Sequence, residues 1–128
     1  GEILAGLLDE NREKTVGTEE IMVKKYGERK NLFSGNTTIG VVATNGNFTK
    51  SEANKLASMS HNGYGRTMRP AHSIFDGDTI FTMATGKIEA DINVVGFLAA
   101  RTMEMAVINA IKSAKTAYGF KAYEDLLK

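Results

Sequence analysis

The stretch Ser34-Gly35-Asn36-Thr37-Thr38-Ile39-Gly40-Val41-Val42-Ala43-Thr44-Asn45 decides how the chain is read. Ile39, Val41 and Val42 belong to a core strand, and the strand is predicted over Thr37 to Thr44. Ile39, Val41 and Ala43 point to one face and Val42 to the other. Both faces are fairly apolar, so the strand is expected to be internal. Its entrance is unusual, because a turn-like Ser-Gly-Asn triplet leads straight into two hydroxyl residues. Threonine is β-branched and common in strands, which gives Thr37 a purely structural reading. The alternative is chemical. If the Asn36–Thr37 peptide bond is cut, Thr37 gains a free α-amine beside its own hydroxyl. An α-amine with a pKa of about 7.7–8.0 can accept the hydroxyl proton during attack, so base and nucleophile reside in one residue.

Working outward, Asn45-Gly46-Asn47 is a turn signal. Thr49 and Glu52 have the spacing of a capping box. Ala53, Leu56, Ala57, Ser60 and Tyr64 then recur at helical spacing, a stripe of small residues that lets a helix lie close to a sheet. Pro70 ends that helix, since it disfavours α geometry at Arg69. Phe75-Asp76-Gly77-Asp78 is a turn that leads into a second strand, "TIFTMAT". Asp91 is expected to cap a long helix from about Ile92 to Thr116, apolar on more than one face and therefore sandwiched or set against a partner. A terminal helix is expected over Lys121 to Leu127. Gly1 to Leu8 suggests a strand, and Asp9 to Asn31 a solvated connector with a helical turn near Glu19 to Lys25. The order is strand, helix, strand, helix, without an internal repeat.

The 128 residues amount to one small domain or a piece of a larger one. With 16 basic and 15 acidic side chains and a net charge of +1, no global field points to nucleic acid or membrane. The longest apolar run, Val94 to Ala100, is short of the ~20 residues of a membrane span. No cysteine is present, which removes disulfides, thiolate zinc sites and a cysteine nucleophile. Together with the lack of a visible export signal, this makes the cytoplasm the expected location.

Asp76 and Asp78 flank Gly77 in a tight turn, where both carboxylates can face one site and orient a hydroxyl or ammonium group. A solvent-facing Asp-Gly turn is the alternative, and two carboxylates in one loop do not make a metal cage. His61 and His72 lack a metal-site spacing and are expected to be packed or hydrogen-bonded. "GYGR", Gly63 to Arg66, is too short for a phosphate loop.

"GNTTIGVVATN" followed by "TKSEANKLASMSHNGYGRTMRPAHSIFDGDTIFTMATG" resembles the S58 (P1-type) peptidase family. That family includes L-aminopeptidase/D-amidase-esterases, β-peptidyl aminopeptidases and nylon-oligomer hydrolases. The motif-bearing match runs from Gly35 to Gly86. The resemblance implies an α/β fold of the α+β kind, an αββα sandwich of the N-terminal-nucleophile-hydrolase type, of which this chain is the C-terminal portion. Residues 1–36 would be the tail of an α-subunit segment and 37–128 a β-subunit segment. It implies self-cleavage between Asn36 and Thr37, Thr37 as nucleophile, and Asp76 and Asp78 as its supporting acids. The Asp-Gly-Asp turn favours the nylon-hydrolase-like pattern. It also implies hydrolysis of peptides or peptide-like amides without a cofactor, oxyanion donors from an α segment before Gly1, and a homo-oligomer, often a tetramer. Acyl transfer like that of ornithine acetyltransferases and a non-catalytic assembly fragment are the competing expectations.

Overall fold

A computed structural model describes residues 2–27 and 37–127. The described residues fall into two compact units, one within Gly1–Asn31 and Val107–Lys128, the other within Leu32–Ala106.

The second unit is built on a strand–helix–strand crossover. Strand β1, Ile39–Gly46, runs parallel to β2, Thr79–Ile88, in the register Ile39↔Thr79, Val41↔Phe81 and Ala43↔Met83. Helix α2, Lys50–Thr67, makes the crossover that parallel strands require. It starts where the sequence places it. The Thr49 amide and hydroxyl both donate to Glu52 Oε2 at 2.8 Å, and the Glu52 amide donates back to Thr49 Oγ1 at 3.3 Å. The helix stops at Thr67, with Met68 already extended, ahead of Pro70. Helix α3, Ile92–Ser113, starts at Asp91, whose Oδ1 accepts from the amides of Asn93 (2.8 Å) and Val94 (3.0 Å). It ends three residues before the expected Thr116.

Small residues set the packing. A Cβ on Gly63 of α2 would lie 2.6 Å from the Ala100 carbonyl oxygen, so α2 and α3 meet backbone to backbone. Leu56, Ser60, Tyr64, Ile80, Ala99, Ala100 and Met103 are buried around this contact. Arg66 pairs with Glu104 at 3.3 Å across the two helices. By length and composition α3, 22 residues long with an 18-residue stretch of mean hydropathy 1.5, is long and apolar enough to cross a membrane, more than the run Val94–Ala100 had suggested. Gly96, Ala99, Ala100 and Met103 form its buried face, while Val94, Phe97, Leu98 and Met105 are exposed.

The alternation of β1 is as expected, with Gly40 buried and Ile39 and Val41 on the other face. The expected internal position needs correction for the described residues. There β1 has β2 as its one neighbour, and the outer face is open, with Ile39 68%, Val41 57%, Phe81 56% and Met83 57% exposed. Apolarity on both faces reports that a face is to be covered, not what covers it.

Two further expectations are corrected in the other unit, the strand and the terminal helix. Residues 2–8 form no strand beyond a single antiparallel bridge, Leu8↔Thr15. The pairs Ile3-Leu4 and Leu7-Leu8, separated by Ala5-Gly6, do not alternate as a strand does. The supposed connector contains a tight loop in which Asp9 Oδ1 accepts from the amides of Glu13 (2.8 Å) and Lys14 (3.3 Å). The Glu13 amide is the chief reason that the Asp9 carboxyl titrates below its ordinary value. Helix α1, Thr18–Lys24, follows where a helical turn was expected. The terminal helix shrinks to one 3₁₀ turn, Tyr123–Asp125, whose Asp125 carboxylate accepts from the Ala122 amide at 2.9 Å and from the Thr116 hydroxyl.

Candidate active site

Parallel pairing puts the first residues of β1 and β2 side by side. The residues just before each strand, Thr37-Thr38 and Asp76-Gly77-Asp78, are therefore brought to one edge although some forty positions separate them in sequence. The Thr38 amide donates to Asp78 Oδ1 at 2.8 Å, and the Thr79 amide donates to the Thr38 carbonyl at 3.0 Å. These two bonds extend the ladder beyond Ile39 and fix the acid turn against the start of β1.

Asp76 is held from the other side. The Ser73 amide donates to Asp76 Oδ2 at 2.7 Å, and the Asp76 amide to the Ser73 carbonyl at 3.1 Å. Between the two acids, Gly77 packs directly on Thr37, and a Cβ there would stand 2.7 Å from Thr37 Oγ1. That separation is below any ordinary van der Waals contact. A side chain at this position would have to turn the hydroxyl aside or push the turn outward. Thr37 is itself exposed, while Asp76 and Asp78 are half-buried. All three expected site residues thus converge. Asn36, the other side of the expected cleavage bond, lies outside the described residues.

Sequence reasoning missed the floor of the site. The Tyr64 side chain is 1% exposed, and its hydroxyl has no hydrogen-bond partner among the described residues. A Cβ on Gly40 would come within 2.5 Å of that hydroxyl, so the strand carrying Thr37 lies on the Tyr64 ring tip. Burial raises the Tyr64 phenol above its ordinary value, and the negative charge of Asp78 raises it further, so the ring stays neutral. An isolated glycine inside a strand was the available signal for such a close approach. His61 and His72 are in ring contact with centroids 5.2 Å apart, and the exposed His72 has Nε2 3.3 Å from the His61 carbonyl oxygen, in keeping with the packed or hydrogen-bonded role expected of them.

The Thr37 hydroxyl thus lies at a strand end, against Gly77 of a turn that carries two carboxylates. The profile of peptidase family S58 matches residues 4–124, and the chain belongs to that family. It is 32% identical over 136 residues to an uncharacterized aminopeptidase of Mycobacterium leprae, covering 94% of this chain and 37% of that protein. An uncharacterized aminopeptidase of Mycobacterium tuberculosis is 32% identical over 106 residues, 71% of this chain and 31% of its own length. A 6-aminohexanoate-oligomer endohydrolase of Kocuria sp. is 30% identical over 92 residues, 62% of this chain and 26% of its own. The chain therefore spans little more than a third of the first of these relatives and less of the others.

Proposed function

We propose that the protein is a self-cleaving amidohydrolase in which Thr37, freed by scission of the Asn36–Thr37 bond, is the nucleophile. The observation that carries this reading is the closure of the Asp76-Gly77-Asp78 turn over Thr37 Oγ1. In self-cleavage the Thr37 hydroxyl attacks the Asn36 carbonyl carbon, and the C–N bond breaks as its nitrogen takes up the hydroxyl proton. The Asn36 acyl group is then an ester on Thr37 Oγ1. Water hydrolyses that ester, leaving a carboxylate on Asn36 and a free amine on Thr37.

Substrate turnover repeats the chemistry with an external amide. The Thr37 amine takes the hydroxyl proton and returns it to the departing amine, and water releases the acyl group from Thr37. Asp78, which accepts from the Thr38 amide, and Asp76, held by Ser73, orient the new ammonium and hydroxyl. The names of the relatives support amino-terminal peptides or linear amide oligomers as substrates. The open apolar face of the β1–β2 sheet fits an αββα sandwich in which a second sheet covers it. Exposed Val94, Phe97 and Met105 on α3 fit a homo-oligomer.

The test is the mass of the denatured full-length protein with amino-terminal sequencing of its smaller fragment. The expected fragment begins Thr37-Thr38-Ile39 in the wild type, and Thr37→Ala gives one uncut chain. A wild-type chain that stays uncut for days overturns the reading.

A further inference from the structure

The segment between α2 and β2 is fastened at His72. Its backbone has φ +59°, a left-handed conformation that side-chain-bearing residues seldom adopt and that surrounding contacts have to hold. Its Nε2 lies 3.3 Å from the His61 carbonyl oxygen. A carbonyl can only accept, so this bond requires the ring proton on Nε2. The two imidazoles pack at 5.2 Å with their planes 64° apart, and His61 in turn meets Tyr64 edge-on at 5.5 Å. The next residue, Ser73, opens the turn that binds Asp76, Gly77 then closes on Thr37, and Asp78 takes the Thr38 amide. A continuous series of contacts therefore runs from α2 to the hydroxyl.

We infer that His72 is a positioning residue: its bond to the His61 carbonyl and its packing on the His61 ring fix where the acid turn begins. Asp76 and Asp78 then reach the start of β1 in a single arrangement. His72 touches no reacting atom. Its effect on chemistry rests on the threonine-nucleophile reading above, whereas its effect on the turn does not. A histidine with no such task gains nothing from left-handed backbone, and glycine would occupy the position at lower cost.

Two substitutions in the full-length protein test this. His72→Gly removes the clamp and accepts the positive φ without strain, so the fold survives. His72→Gln restores a donor at similar reach. Hydrogen–deuterium exchange reads the turn directly, whether or not the protein cuts itself. With His72→Gly, the amides of Thr38, Ser73, Asp76 and Thr79 are expected to exchange at least tenfold faster, while those of α3 are unchanged. Self-cleavage is expected to slow at least tenfold, and His72→Gln to recover most of both losses.

Unchanged exchange in His72→Gly overturns the clamp. So does a glutamine variant as impaired as the glycine one at equal melting temperature, since the donor is then not the agent. Faster exchange with wild-type cleavage overturns the link to chemistry. A wild type that never cuts itself overturns the proposed nucleophile instead, and the exchange data still decide the clamp.

Discussion

The backbone amide of Thr38 donates to Asp78 Oδ1 at 2.8 Å, so the second acid of the turn is bonded one residue away from Thr37. The carboxylate thereby has a structural task, as acceptor for a strand amide, and in the proposed mechanism a chemical one, as a charge that orients the Thr37 ammonium and hydroxyl. The two can be separated. Asp78→Asn keeps an acceptor and loses the charge, and should lower self-cleavage by about 10²-fold with little change in melting temperature. Asp78→Ala loses both and should also cost about 1 kcal/mol of stability, because the amide is left unmatched. Fragment mass over time and thermal melts check the pair.

Gly77→Ala puts a methyl group 2.7 Å from Thr37 Oγ1. The turn lies near the surface and can shift outward, so the fold should persist. The hydroxyl should be blocked or displaced and fragment formation lost. A Gly77→Ala protein that self-cleaves at the wild-type rate contradicts the closure seen here.

Gly40→Ala meets the Tyr64 hydroxyl at 2.5 Å and Met103 Cε at 2.9 Å. Overpacking of this kind costs about 1–3 kcal/mol. Tyr64→Phe alone should be neutral or stabilising, because it removes a hydroxyl that lacks a partner among the described residues. The double variant should be more stable than the sum of the two single effects, since the phenyl ring leaves room for the added methyl. Denaturant unfolding of the three variants measures that coupling.

Thr49→Ala should destabilise α2 by about 1 kcal/mol through loss of its cap. The Glu52 side of the same box depends on pH. The Thr49 amide, and after it the Thr49 hydroxyl, hold the Glu52 carboxyl below its ordinary 4.5. Its stabilising contribution is therefore complete above that ordinary value and disappears as pH falls through the lower folded value. Glu52→Gln should flatten the stability curve in that acid window and leave its shape near neutrality unaltered, as urea midpoints from pH 7 to pH 3 would register.

The crossover was legible because its signals are local. Thr49 and Glu52, Pro70 and Asp91 each act within a few residues, and each marks its boundary in the structure. Thr37, Asp76 and Asp78 could be named because a strand start and an Asp-Gly turn have recognisable residues. That they meet was expected from the family resemblance alone and not from local residues, since it depends on the parallel register Ile39↔Thr79. Tyr64 looked like one more apolar position on a helix. Only the approach of Gly40 reveals what its hydroxyl faces. The misread ends are short pieces: residues 2–8 hold one backbone bridge, Leu8↔Thr15, and the terminal 3₁₀ turn takes its form from the Asp125 carboxylate.

The bond from the Thr79 amide to the Thr38 carbonyl bears on what a cut at Asn36–Thr37 would leave behind. A fresh chain terminus normally frays over several residues. Here every ladder bond from Thr38 onward lies downstream of the scission, and the one residue left outside them is Thr37, penned in by Gly77. The protein would thus sever its own backbone and lose no strand pairing in the described sheet. The freed amine would stand one residue from the first held position, so the sheet would anchor its own broken end.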